Sequence, residues 1–291
     1  MNLLKFISFS DIKKNRKWAL IAAYFFLAIF VIFFLFPPFY MIMTSFKTNE
    51  EISSLKGIPF IFNQRPTLYH YKNLLTNTLF PVYFKNTVIV TIITVAVSMI
   101  ISILAAYSLS RLRFWGSWLL ATGVFLTYLV PETLLFIPLF KMVGNFGLLN
   151  SKWSLVLVFP TLAVPFCTWI MIGYFSSIPK ELDEAALMDG ANWYQMLYRV
   201  FIPVAMPGII AATIFAFTVS WAGFLYPLAF IYSNEELVLT VGTVTTLIRG
   251  DVMHWGGLMA GAILAAAPPV IIYAFLMDYY ISGLMAGAVK D

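Results

Sequence analysis

Six apolar runs, interrupted by shorter polar segments, set the architecture of this chain. They cover 18–45, 84–109, 117–140, 153–175, 204–231 and 255–281, and each reaches the roughly 20 residues a helix needs to cross a bilayer. Polar positions are too sparse within them to define a wet face, so each run predicts a helix buried in lipid or protein all round. Prolines at 131, 138, 160, 165, 227, 268 and 269 fall inside these runs and predict interrupted helices. Such interruptions are tolerated in membranes where the freed carbonyls meet protein or a water-filled cavity. In the last run Gly256, Gly257, Ala260, Gly261, Ala262 and Ala265 to Ala267 allow close helix contact, within the chain or with a neighbour.

The polar segments orient the runs. The tail 1–17 carries Lys5, Lys13, Lys14, Arg16 and Lys17 against Asp11 alone, which keeps it cytoplasmic under the positive-inside rule. An even number of spans places both termini there, together with the Arg111 and Arg113 loop and a polar island at 180–203. The run after the tail continues through Pro37 and Pro38 and shows no cleavage site, so it predicts a retained span rather than a signal peptide. On the opposite face lie 46–83, whose Gly57, Pro59, Pro66 and Pro81 predict a folded cap, the short turn 141–152, and the loop 232–254.

Composition agrees. At 61% hydrophobic and 11% charged, with mean hydropathy +0.88, the chain lies outside the soluble range and predicts an all-α, multi-pass membrane protein. One cysteine, Cys167, provides neither a disulfide framework nor a metal cluster. No GxxxxGK[ST] loop, HExxH or GxSxG pattern occurs, so neither ATP binding of the usual kind nor hydrolase chemistry is expected, and no catalytic, cofactor or metal residue is assigned. No nucleic-acid partner is expected.

The island concentrates Glu181, Asp183, Glu184 and Asp189 between two apolar runs. Pro179 suits the first helical position, acidic residues complement a helix N-terminus, and Gly190 can end that helix in a left-handed conformation. Asn192 then caps a second helix to about Arg199, and Pro203 closes the unit. Ala185 and Ala186 reduce bulk beside Glu184, the design of a docking knob with one projecting carboxylate.

At this stretch the chain resembles a known family. Glu184-Ala185-Ala186, three residues, Gly190, nine residues, then Val200, Ile202 and Pro203 are similar to the EAA loop of bacterial ABC-importer membrane subunits, with conservative departures at Val200 and Ile202. The ending from Gly283 to Lys290 resembles that of the MalG-type subunit of carbohydrate importers and departs at Asp291.

The resemblance implies a type I importer fold with a cytoplasmic coupling loop at 176–203, spans within 18–282 and a tail at 283–291. It implies docking of an ATPase by Glu184, Ala185, Ala186, Asp189, Gly190 and Pro203, with tail contacts from Gly287, Val289 and Lys290. It further implies residence in the bacterial inner membrane and a second homologous permease. Two copies of an ATPase would hold ATP and Mg, an extracytoplasmic solute-binding protein would be met by the 232–254 loop, and the substrate would be a sugar or oligosaccharide.

Candidates for the substrate path are Glu132, a carboxylate inside a span that must find water or a partner, and Tyr128, Trp221 and Tyr226, whose rings suit sugar stacking. The tail is read as too polar and glycine-rich to extend the last helix. Rival readings are an ion-coupled secondary transporter, disfavoured by the shortage of intramembrane ionisable residues, and an importer for another solute such as a glycerol phosphate.

Overall fold

The computed structural model describes residues 9–54, 60–112, 114–249 and 252–288. The chain divides into a smaller unit, ending at Asn73 and taking in His254–Ile263, and a larger one formed by Leu74–Met253 and the segment from Leu264 onward.

In the smaller unit, α1 (Phe9–Ser45) carries side chains that are exposed from Arg16 to Tyr40, as expected of a helix clothed by lipid or protein rather than by its own chain. The cap beyond it is folded. Thr48 accepts the Glu51 N–H and starts α2 (Asn49–Ser53). Glu51 is buried, pairs with Lys47 at 2.9 Å and accepts the Asn63 N–H at 2.9 Å. Lys47 also donates to the Ile61 carbonyl, so this buried ion pair is hydrogen-bonded on both sides, the condition under which burying charge is tolerable. His70, at the start of α3 (Tyr69–Asn77), is buried and its Nε2–H donates to the Lys47 carbonyl at 2.9 Å. Its ring lies where a Cβ on Gly256 would stand, so that glycine is required by close approach.

The larger unit is built on α4 (Phe80–Arg111) and α7 (Trp153–Ser177), with α11 (Met206–Trp221) packed on both. Thr87, Thr91, Thr94, Ser98 and Ser102 are all buried on α4, and their three- and four-residue spacing places small side chains along one stripe that lets helices approach. Gly208 serves the same end on α11, where a Cβ would enter the Tyr174 ring.

Two spans are interrupted. The run expected as one span at 117–140 consists of α5 (Ser117–Tyr128) and α6 (Glu132–Asn145), which meet at 96°. Pro131 is the cause, because it has no N–H to continue α5 and stands immediately before α6. The run at 204–231 likewise parts into α11 and α12 (Leu225–Phe230), and the freed Gly223 carbonyl accepts from the Thr240 hydroxyl at 2.7 Å. Five helices are long and apolar enough to cross a membrane, or six when the bent pair counts as one.

Outside the spans, α13 (Leu239–Leu247) and the two-residue strands β1 (Ile248–Arg249) and β2 (Val252–Met253) occupy the 232–254 loop, a small exception to the all-α expectation. The loop is anchored on α4, where Asn86 donates to the Glu235 and Leu237 carbonyls and Thr87 accepts the Leu239 N–H. Lys152 adds an ion pair to Glu236 at 3.0 Å. The last helix, α14 (Trp255–Ala288), runs beyond the expected end near 281. Leu284, Met285, Ala286 and Ala288 are strong helix formers, and the two glycines cost only about 1 kcal/mol each, so the tail extends the helix after all. Gly287 lies within it, while Val289 and Lys290 lie outside the described residues.

Candidate functional site

The polar island folds as two short helices around a glycine. α8 (Glu181–Met188) opens with Glu181, Asp183 and Glu184 in its first turn, where they complement the positive helix end. Gly190 takes φ +75° and ends it, with the Ala191 N–H returning to the Ala186 carbonyl at 2.9 Å. Asn192 and Gln195 then form a reciprocal capping box that starts α9 (Trp193–Met196). The chain continues through a π-helical turn, Leu197–Phe201, into α10 (Ile202–Val204). Pro203 therefore stands inside a helical turn instead of closing the unit; the break comes at Ala205.

This loop has an inner and an outer face. Ala186, Met196, Leu197 and Phe201 are buried in one apolar cluster with Tyr107, Cys167, Met171 and Phe175 of the spans. Ala186 is thus small to admit its own core, which removes it from the surface a partner could touch. Glu184, Ala185, Asp189, Gly190 and Pro203 are exposed. Beside them Met188 is 88% exposed, and Leu187, Trp193, Tyr194 and Tyr198 are open as well. An apolar and aromatic ledge edged by carboxylates results, a composition that suits a protein surface bearing cations.

Arg111, at the end of α4, holds the loop in place. Its guanidinium donates to Asp183 Oδ2 at 3.1 Å and to the carbonyls of Phe175 and Ile178, and stands 4.7 Å from the centre of the Phe201 ring. One side chain therefore caps α7, grips α8 and covers the π turn. Sequence reading used Arg111 only as a loop charge; its place at the end of a span opposite an acidic island was the available signal.

The four substrate-path candidates do not form one group. Glu132 and Tyr226 share a cavity of about 400 Å³, also lined by Phe159, Thr218 and Phe224, and the Tyr226 hydroxyl donates to the Glu132 carbonyl at 2.8 Å. Trp221 is buried beside it, its Nε1–H donating to the Ala265 carbonyl at 3.0 Å. Tyr128 stacks on Phe166 at 4.8 Å and meets Phe215 edge-on, away from that cavity's lining.

Comparison with known proteins points the same way. The chain is 37% identical over 266 residues to the inner membrane ABC transporter permease protein YcjP of Escherichia coli K12, covering 91% of this chain and 94% of that one. It is 32% identical over 259 residues to the trehalose/maltose transport system permease protein MalG of Thermococcus litoralis, covering 88% and 91%. In fold it is similar to a chain of a bacterial ABC transporter involved in the import of the acidic polysaccharide alginate, with TM-score 0.79 and 24% identity, over 94% of this chain and 99% of that one. The pattern of one family matches residues 98–285, which hold the coupling loop, Arg111 and the cavity, and the chain belongs to it: the binding-protein-dependent transport system inner membrane components.

Proposed function

We propose that this chain is one half of the permease of an ABC importer for a sugar or oligosaccharide, and that the ledge of α8 and α9 is where an ATPase subunit docks. The observation that carries the reading is the two-faced coupling loop, whose inner face is packed into the spans while its outer face offers Glu184, Asp189 and exposed apolar side chains. A knob so held transmits displacement, because any contact that moves α8 also moves α4 and α7 through Arg111.

In this reading a second homologous permease completes the path, two ATPase copies hold ATP and Mg²⁺, and a solute-binding protein on the outer face delivers substrate. ATP binding by the ATPases shifts the permease toward its outward-open state, and hydrolysis resets it, through contacts that differ between the two states. The trehalose/maltose permease of T. litoralis supports the sugar class.

Glu184→Lys tests the docking surface. It puts a cation where a basic surface is expected, and like charges brought together across an interface are repelled. ATP-driven uptake in vesicles should fall at least about tenfold while membrane insertion is unchanged; uptake at the native rate would remove the docking assignment.

A further inference from the structure

The interrupted spans break into the same space. α5 and α6 part at 129–131, α11 and α12 part at 222–224, and the cavity is lined from both by Glu132, Thr218, Gly223, Phe224 and Tyr226, with Phe159 beside Gly223. Irregular backbone at membrane depth persists only where it is buried in protein or lines a wet cavity. Here the Gly223 carbonyl is met by Thr240 and the Glu132 carbonyl by Tyr226, while the exposed Glu132 side chain faces the cavity with no cation among the described lining residues.

The lining chemistry narrows the occupant. A carboxylate, a threonine hydroxyl and a phenol supply hydrogen-bond partners for hydroxyl groups, and Tyr226, Phe224 and Phe159 supply apolar faces; that pairing of a few polar groups with aromatic walls fits a polyhydroxyl ring. An anionic ring would sit beside a carboxylate in a partly water-excluded space, where repulsion exceeds that in bulk water.

We propose that this cavity is a station on the translocation path that accepts an uncharged sugar ring and turns away an acidic one, with the Glu132 carboxylate setting the preference. The inference rests on the permease reading, and it separates this chain from the alginate importer whose fold it shares, since that transporter carries an acidic polysaccharide.

The test is thiol labelling of the assembled transporter in membranes, with cysteine introduced as Thr218→Cys or, as a second position on the same lining, Ala222→Cys. Native Cys167 is buried and is replaced to clear the background. Reaction rates are measured with two methanethiosulfonates of similar size, one cationic and one anionic, each normalised to its rate with a free thiol. The cationic reagent should be favoured by about tenfold or more, and adding Glu132→Gln should reduce the preference to about threefold or less. At least one of maltotriose, cellotriose and raffinose should slow labelling, and trigalacturonate should not.

No labelling at either position, a preference unchanged by Glu132→Gln, protection by trigalacturonate, or protection by none of the neutral sugars overturns the proposal. None of these measurements uses ATP. Failure here thus leaves the importer reading standing, and that reading falls separately if the native complex shows no ATP-driven uptake.

Discussion

Arg111 concentrates more of the coupling loop's stability than any carboxylate on its surface. Its side chain is only 8% exposed and Asp183 22%, so removing the guanidinium leaves a mostly buried carboxylate and two helix-end carbonyls short of a donor. Loss of one partner from a buried pair costs about 3–5 kcal/mol, the lower part of which applies where one partner is partly wet. Arg111→Gln should lower the melting temperature of the detergent-solubilised protein and reduce ATP-driven uptake at least about tenfold. Arg111→Lys should recover only part of both, because an ammonium cannot span Asp183, two carbonyls and an aromatic face as a planar fork does. Equal uptake by the glutamine variant would show that α8 is held by its apolar contacts alone. Nothing local in the sequence discloses this role: Asp183 is 72 positions from Arg111, and only folding brings them together.

Among the elements, the turn at Gly190 and the outer cap lend themselves to separate tests. A Cβ at Gly190 would meet nothing within 4 Å, so substitution there tests backbone conformation free of crowding. A side chain in the left-handed region costs about 1–2 kcal/mol, less for asparagine. Gly190→Val should therefore uncouple ATPase activity from uptake while Gly190→Asn stays close to native; equal behaviour of the two would deny the turn a role.

In the cap, burial pushes the His70 pKa below 6.5, the Lys47 carbonyl partly opposes this, and His254 lowers it further. A base depressed in the fold loses its contribution as pH falls through the unfolded value toward the folded one. Burial of Glu51 favours its neutral form, but the Asn63 N–H and Lys47 outweigh that and hold it below 4.5, so its contribution disappears only at more acid pH. Hydrogen exchange across 44–72, corrected for intrinsic rate, should show protection falling between about pH 7 and pH 5, and His70→Gln should flatten that step.

At the scale of the whole molecule, the apolar runs were legible because partition into lipid depends on the mean character of about 20 residues and not on any partner. The left-handed glycine and the Asn192 cap were legible for a similar reason, each being a local backbone requirement. The 96° bend between α5 and α6 was not, since Pro131 announces an interruption but neighbouring helices set its angle. Nor was the inward turn of Ala186, which depends on which helix face meets Tyr107 and Phe175.

Sidedness rests on charge and span number, and labelling can check it. Cysteine placed by Asn234→Cys should react with a membrane-impermeant thiol reagent from outside the cell, and Met188→Cys should not; the reverse pattern would put the docking ledge on the face without ATP.

The π turn at Leu197–Phe201 also fixes a count. One extra residue in a turn rotates everything after it by roughly 100°, and the next long helix is α11, with Gly208 under the Tyr174 ring and the Ala212 carbonyl accepting from Cys167. Deleting a single residue from that turn would swing this small-residue stripe off α7 by more than a quarter of a revolution. Connecting segments ordinarily absorb insertions and deletions. Here length can vary only in steps close to a full helical turn, so among descendants of this sequence the stretch from Gly190 to Gly208 should tolerate substitutions far better than single-residue gaps.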